Sequence, residues 1–590
     1  MRLIAVIIAL FSFQAAVFSQ NIFTDVTSEV GIKSDAKVEG VSVGDFNNDG
    51  YDDIYACSPS GLNHLYMNKG DGTFEEIAEE LGVALSSNIV SIAAVWGDID
   101  NDGWLDLYVA NKSVADQLFY NNGNPDSTGK VTFTEISFDA GIYHQGYPKA
   151  LNMADINNDG YLDIYISNFL EENVMYLNNG DLTFTNNTYI SQALDVEEAM
   201  GTIFFDYDKD GDVDLYLVHD DYTPNILYQN DGNGVFTDVS ASAGANKASF
   251  GMGVDVGDIN HDGWLDIYIA NLGSNFLLLN NGDGTFSDIS VSSGTNNSGM
   301  GWGTIFLDYD NDSWEDIYVA NLWQFSPQKN ILYRNKGDLT FEIVEENEAV
   351  SNMLGSYGTA SVDYNMDGQM DILVAHRTVN ETLQLFKNAN RQNNWISLKL
   401  VGTTSNKNAV GAVIELTDDN QTLHYQEVSA GLSWLSQNSF WMHFGLGNAN
   451  AITEATIKWP SGLEETIELT TINDFFVITE GEGVESLSDY LQHNIQTIDT
   501  TIIGNVLITP NPNNGDFKLN FYADKEEPTQ ITLLNSVGQI LHQQEVTSIS
   551  GNNELHINLS NLGLDLSNQV IYIRISNSSK TFVNTCLVQP

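Results

Sequence analysis

The stretch DFNNDGYDD, residues 45–53, places four aspartates and two asparagines within nine positions. Carboxylates brought that close repel one another unless a cation sits among them. The same frame recurs as DIDNDGWLD from Asp98, DINNDGYLD from Asp155, DYDKDGDVD from Asp206, DINHDGWLD from Asp258, DYDNDSWED from Asp308 and DYNMDGQMD from Asp363. Successive copies of the seven lie 53, 57, 51, 52, 50 and 55 residues apart.

Two further elements recur between the copies. LYMNKGDGTF from Leu65 is echoed by MYLNNGDLTF, LYQNDGNGVF, LLLNNGDGTF and LYRNKGDLTF, and runs such as FTDVSASAG from Phe236 follow directly. Each repeat therefore reads as four short strands: one entering the Asp loop, one leaving it, the LYxN run and the Phe-led run, with Gly/Asn/Asp turns between them. Four strands at a period of about 50 residues predict a β-propeller. FTDVTSEVG at Phe23 is a fourth strand with no preceding three, and LQLFKN at Leu383 ends a repeat that lacks its fourth. The first strand is expected to complete the last blade and so remove an open edge. The expectation is an all-β chain with a seven-bladed propeller over residues 21–390.

Positions 1, 3, 5 and 9 of the frame carry Asp or Asn throughout, and position 6 is Gly in six of the seven copies. Alternate oxygens around a tight turn can converge on one hard cation, and glycine supplies the positive φ that reverses the chain. Position 7 would add its backbone carbonyl. Oxygen-only, largely charged donors suit Ca²⁺ better than Zn²⁺, which prefers nitrogen and sulfur. An EF-hand or dockerin-like loop would need an acid at position 12, where Ala56, Val109 and Ile166 stand instead.

The motif D-x-[DN]-x-D-G-x-x-D in repeats of this length resembles the FG-GAP/VCBS family, which includes the calcium-loaded propeller of integrin α subunits. The resemblance implies up to seven Ca²⁺ ions held by positions 1, 3, 5 and 9. These are Asp45, Asn47, Asp49 and Asp53; Asp98, Asp100, Asp102 and Asp106; Asp155, Asn157, Asp159 and Asp163; Asp206, Asp208, Asp210 and Asp214; Asp258, Asn260, Asp262 and Asp266; Asp308, Asp310, Asp312 and Asp316; and Asp363, Asn365, Asp367 and Asp371. Asp52, at position 8, should point elsewhere. Ser313 replaces the glycine of the sixth copy, so that turn is expected to be strained and its site weaker. Among these positions 24 are carboxylates, so the ions would act as scaffolding that neutralises charge and adds stability by linkage.

The opposite rim, made by the 2–3 and 4–1 loops, is where a ligand would sit. Its 4–1 loops hold His144, Tyr147, Lys149, Phe250, Met300, Trp302 and Tyr357; its 2–3 loops hold Tyr222, Trp323, Phe325 and Arg377. His219 and His376 replace an asparagine found at the equivalent place in four other repeats. His219, Trp302, Trp323, His376 and Arg377 are the candidate ligand contacts. The alternative is that His and Asn cap strand ends while the aromatics fill the channel. No HExxH, G-x-S-x-G, P-loop or dinucleotide fingerprint occurs. Similar propellers occur in polysaccharide lyases, and a convergent His, Tyr or Arg cluster would support that reading, whereas an apolar plug would remove it.

The bulk numbers agree with an exported cation-binding chain. Acids outnumber bases 80 to 22 in 590 residues, a net charge of −58, which argues against nucleic acid or an anionic membrane as partner. MRLIAVIIALFSFQAAVFSQ reads as a signal peptide over residues 1–19, and no later run is apolar and long enough to span a bilayer. Cys57 and Cys586 fall in separate predicted domains, so no disulfide framework is expected.

After Asn393 the Asp motif stops and strongly alternating runs begin. Gly411-Ala412, GLSWLSQ from Gly431, HFGLG from His443 and WPSG from Trp459 resemble the ASPIC/UnbV domain, over residues 393–480. Propeller plus this domain resembles the cartilage acidic protein family, which implies extracellular calcium binding; Trp459 and His443 read as core or turn residues. Residues 481–505 read as a linker. PNPNNGDF and SVGQIL, within 506–590, resemble the C-terminal sorting domain of type IX secretion, implying an Ig-like sandwich that serves as an export address. The expectation is a secreted or surface-attached protein of a diderm bacterium that meets the type IX secretion machinery. It would work in adhesion to or recognition of a glycan or protein; the alternative is a lyase-like enzyme with its site on the non-calcium face.

Overall fold

The computed structural model describes residues 22–33, 37–123, 131–322, 328–345, 347–351, 353–377, 383–390 and 393–491, and further on 507–509, 516–523, 527–534, 540–548, 551–559, 569–576 and 581–588. The signal-peptide reading, most of the linker, Trp323 and Phe325 lie outside the described residues. The chain forms two compact units, Met1–Leu487 and Ser488–Pro590.

Each Asp repeat forms a four-stranded antiparallel sheet. In the first, Gly40–Gly44, Asp53–Cys57, His64–Asn68 and Phe74–Glu76 pair in that order, and six further sheets follow. In the last, Ser356–Val362, Asp371–His376 and Leu383–Asn388 take Phe23–Asp25 as their outer strand, with Phe23 opposite Asn388. The innermost strands contact one another in sequence, and Ser356–Val362 meets Gly40–Gly44, so the ring closes into a propeller.

The local sequence accounts for each strand's place. Second strands such as Asp106–Asn111 and Asp163–Asn168 are buried throughout, because neighbouring sheets cover both faces. Outer strands such as Phe74–Glu76 bury only their first residue and leave two acids in water. The asparagine ending each LYxN strand joins one sheet to another. Asn121 donates through Nδ2 to the Phe46 carbonyl at 3.0 Å, Asn178 to Ile99 at 2.8 Å, and Asn388 to Tyr309 at 2.7 Å. Buried amides with such partners set spacing as well as adding stability.

The downstream β domain belongs to the same compact unit. In one sheet Asn394–Val401 pairs antiparallel with Met442–Gly447 and parallel with Phe475–Thr479; in the other Val413–Asp418 lies between Leu423–Glu427 and Ile452–Lys458. Trp459 is buried in it and donates through Nε1 to Glu465 at 2.8 Å. One expectation needs correction. The start of the supposed linker, Gly483–Ser486, is an edge strand paired with Phe476–Thr479; its acidity reflects an exposed edge, which charge protects from further pairing.

The second unit contains a three-stranded sheet, Leu507–Thr509, Asp516–Ala523 and Gly551–Asn558, and a four-stranded sheet ordered Ile540–Ser548, Glu527–Leu534, Gln569–Ser576 and Thr581–Val588. Leu519, Ile531, Leu533, Ile557 and Ile573 are buried in it.

Candidate metal centres and the opposite mouth

Each Asp loop is tied by its own carboxylates. Asp45 accepts from the Asp49 and Gly50 amides, both at 3.0 Å, and Asp49 accepts from Tyr51 at 3.0 Å. Asp53 accepts from Phe46 at 3.3 Å and from Asn68 in the third strand at 2.7 Å. The pattern repeats in later loops, as at Asp98 with Asp102 and Gly103, and at Asp106 with Ile99 and Asn121. Position 4 is also left-handed in every loop, from Asn48 at φ 55° to Met366 at φ 55°. Its asparagines reach the next loop: Asn48 donates to the Gly103 carbonyl and Asn101 to Gly160, both at 2.8 Å. Ser313 holds φ 84°, a conformation that favours glycine.

The donor set fits a hard cation. Carboxylate oxygens of Asp98, Asp100 and Asp106 lie within 4.8 Å of one another, as do those of Asp206, Asp208 and Asp210, and of Asp308, Asp310 and Asp316. Buried acceptor oxygens on Asp208, Asp310, Asn365 and Asp371 have no hydrogen-bond donor among the described residues. An unsatisfied buried oxygen is costly unless something positive completes it. Burial, reinforced by Asp102 and Asp100, pushes Asp98 up to about 7, and burial with Asp45 and Asp49 nearby raises Asp53 well above the carboxylate range. The sixth loop differs. Arg334 donates to Asp310 at 2.8 Å and to Asp312 at 2.6 Å, bringing a cation of the chain's own.

The downstream domain sits on this rim. Lys399 Nζ lies 3.6 Å from Asp45, the Asp98 amide donates to Asn408 at 2.7 Å, and the Asp206 amide to Glu427 at 3.1 Å. Ser439 donates to Asp52 at 2.5 Å, so the position-8 carboxylate turns to the downstream domain. His443 Nε2 is 2.7 Å from Asn311 Oδ1, and burial pushes that imidazole down to about 3. Between rim and domain lies a cavity of about 130 Å³ lined by Asp255, Glu315 and Glu427. Burial raises all three carboxyls, but they are not among the groups that converge on one point.

From the same domain the segment 430–438 enters the propeller channel. Ser436–Gln437 pairs in parallel with Val41–Ser42. Asn152 donates to the Gly431 carbonyl at 2.8 Å, the Thr304 amide to Ser433 Oγ at 2.9 Å, and the Trp96 amide to Gln437 at 2.7 Å. Glycines on the innermost strands make room: a Cβ on Gly201 would lie 2.8 Å from the Ser433 carbonyl and 2.5 Å from that of Met252. Trp434, 2% exposed, stands edge-on to Trp302 with ring centroids 4.7 Å apart, and Trp302 meets Tyr357 at 4.6 Å.

At the mouth opposite the Asp loops these rings meet a group of cations. Lys112 Nζ lies 3.7 Å and Lys149 Nζ 4.0 Å from the centre of the Tyr147 ring, and Lys149 is also 5.2 Å from Trp434. Arg377 Nε is 2.6 Å from Glu39, with its guanidinium 5.3 Å from the Tyr357 ring. Burial acts to raise the Tyr147 phenol, but Lys149 and Lys112 outweigh it and hold it below its usual value.

The predicted ligand contacts divide accordingly. Arg377 and Trp302 reach this mouth. His219 and His376 do not: both are 0% exposed, His219 bound to the Pro224 carbonyl and Asp195, His376 to Gln384. His144 is buried on Asp116 at 2.5 Å. These histidines close strand ends. Tyr147, Lys149 and Tyr357 were visible as loop residues, whereas Glu39 and Lys112 carried no sequence signal, and Trp434 was visible only within the GLSWLSQ run of the downstream domain, with nothing to place it in the propeller channel.

Family models match three parts of the chain: FG-GAP-like repeat over 45–109, 98–166, 155–217, 206–269, 258–319 and 308–374; ASPIC and UnbV over 402–485; and secretion system C-terminal sorting domain over 507–589. Cartilage acidic protein 1 of Xenopus tropicalis is 25% identical over 474 residues, covering 72% of this chain and 70% of that protein. Integrin alpha-4 of Xenopus laevis is 27% identical over 154 residues, covering 23% of this chain and 15% of that protein. Among solved structures, Saccharomyces cerevisiae Sqt1 aligns with a TM-score of 0.38 at 10% identity, over 62% of this chain and 98% of that one. The chain belongs to the FG-GAP-like repeat proteins, with an ASPIC/UnbV domain and a sorting domain that marks it as a secreted or cell-surface bacterial protein.

Proposed function

We propose that this protein is a calcium-stabilised recognition module whose Asp loops are scaffold and whose opposite mouth meets an extracellular glycan or protein. The observation that carries the reading is the division of the two rims. The Asp-loop rim is covered by the downstream domain, through Lys399, Asn408, Glu427 and His443, which leaves the other rim for a partner. Up to seven Ca²⁺ ions would be held by the Asp and Asn side chains at positions 1, 3, 5 and 9. The ion supplies charge neutralisation at each turn, and the chain's carboxylates orient the turn through their amide contacts. Among the described residues no histidine faces the mouth, and Trp434 fills the channel beneath it, which favours binding over catalysis. Localisation follows the sorting domain, through which the type IX secretion machinery would handle the chain.

The test is binding of the calcium-loaded protein to an array of extracellular polysaccharides and matrix proteins, beside Arg377→Ala and Tyr357→Ala. Binding weakened by both variants supports the reading. Binding that both variants retain in full places recognition elsewhere and overturns it.

A further inference from the structure

We infer that the mouth built by Lys112, Tyr147, Lys149, Arg377 and Trp434 is a subsite for a negatively charged sugar residue. This rests on the recognition reading above and names the ligand class.

The charge balance is the first argument. In a chain of net charge −58 with 22 lysines and arginines, Lys112, Lys149 and Arg377 gather at one mouth. Lys37 adds a fourth positive charge acting on Glu39. Glu39, paired with Arg377, acts also on Lys149 and Lys112, and Asp220, beside Asp221, is within electrostatic range of Lys149. Positive charge is therefore concentrated here against a strongly negative background. A background of that sign would repel an anion everywhere else and focus it here.

The second argument is what the cations lack. Among the described residues no carboxylate lies within 4.0 Å of either Lys112 or Lys149. Both ammonium groups rest on the Tyr147 ring and its phenol, and Glu39 acts on both from beyond that distance. Glu39 is in direct contact with Arg377, not with the lysines, and a ring quadrupole replaces only part of an ammonium's hydration. An anionic group seated between Lys112 and Lys149 would complete both.

The third argument concerns the floor. The Nε1 atoms of Trp302 and Trp434 are buried and have no acceptor among the described residues, and Trp434 as a whole is 2% exposed. An indole N–H is a donor only, so what it lacks is an oxygen. Aromatic rings and cations at one mouth, above buried indole donors, match a sugar ring carrying a carboxylate or sulfate. A small free anion would use the cations and leave the rings idle.

Titration calorimetry on the whole calcium-loaded protein tests this with four probes: oligogalacturonate (carboxylated), a chondroitin sulfate oligosaccharide (sulfated), a neutral cello-oligosaccharide, and inorganic phosphate. The expected result is binding of one or both anionic oligosaccharides and neither of the other two, with the first pair telling carboxylate from sulfate. Lys112→Gln with Lys149→Gln should lower that affinity by about tenfold or more while leaving the thermal midpoint within a few degrees. Tyr147→Phe, which keeps the ring, should bind better than Tyr147→Ala. Anionic binding that the lysine pair does not weaken overturns the subsite, because uronates also take up calcium and could bridge to the Asp loops. Binding of the neutral probe, weakened by Arg377→Ala, overturns the ligand class and leaves the recognition reading standing. No binding of any probe overturns the inference, and the array then tests the recognition reading separately.

Discussion

The Asn68 side chain of the first sheet donates through Nδ2 to the Tyr364 carbonyl of the last at 2.8 Å, and so closes the ring. The same amide nitrogen reaches the Asp52 carbonyl at 3.2 Å, while Oδ1 accepts from Gly70 at 3.1 Å. Asn68→Ala is expected to strand two buried carbonyls and lower stability by about 2–3 kcal/mol, read as a shift of the urea midpoint. A change no larger than a surface substitution would show that closure depends on the Phe23–Asp25 strand and the packed core alone.

Calcium removal should lower the thermal midpoint strongly. A site saturated a hundredfold above its dissociation constant adds about 2.7 kcal/mol, so several sites together amount to a large part of the unit's stability. Asp100→Asn, in a loop of four acids, should reduce the calcium effect. Arg334→Ala should do the opposite, since the sixth loop loses its resident cation and leaves Asp310 and Asp312 facing each other. Its midpoint should fall further than that of the unaltered protein in chelator and recover more on adding calcium. Equal midpoints with and without chelator for the unaltered protein would remove the scaffold reading.

How much of this was legible follows from how local each feature is. The Asp loops are defined within nine residues, so their spacing gave the repeat and their carboxylate positions together. The left-handed conformation at position 4 was hidden because its occupants differ: Asn48, Lys209, His261 and Met366 share a backbone state and no side-chain chemistry. The channel segment was hidden for another reason. Trp434 meets Trp302 across more than a hundred residues of sequence, and no periodicity encodes a contact between domains. Motif reasoning singled out His219 and His376 because they break a pattern. They do so only by replacing one strand-capping group with another.

The buried histidines of the first unit contribute acid sensitivity, against which the raised carboxyls of Asp255, Glu315 and Glu427 act in the opposite sense. Burial holds His376 down at about 4 and His443 at about 3, against an ordinary value of 6.5. Below pH 6.5 the unfolded chain binds a proton at each histidine that the folded chain refuses. The histidines' contribution is therefore full above that value and falls as pH drops towards the folded values, by up to about 1.4 kcal/mol per pH unit for each group. Urea midpoints from pH 7 to 5 in saturating calcium isolate this contribution as a difference: His376→Gln should lose less stability, or gain more, on acidification than the unaltered protein. An unchanged slope in that variant would show that His376 takes up its proton equally well in the folded and unfolded chain.

The channel segment ties the propeller to the downstream domain, and one substitution on each side tests how much it contributes. Trp434→Ala deletes a fully packed indole between Trp302 and Lys149, at an expected cost of about 3–5 kcal/mol. Gly201→Ala attacks the same contact from the propeller, because the added methyl would press on the carbonyls of Met252 and Ser433; a cost of about 1–3 kcal/mol is expected from such overpacking. Gly253→Ala would meet the Trp302 carbonyl and Ser433 Oγ and should behave alike. Because both glycine variants and Trp434→Ala act on one interface, their combined cost should fall short of the sum. Limited proteolysis provides the second readout: each variant should expose the 430–438 segment to cleavage that the unaltered protein resists. Full additivity together with unchanged protease resistance would mean that the segment fills the channel without holding the two domains together.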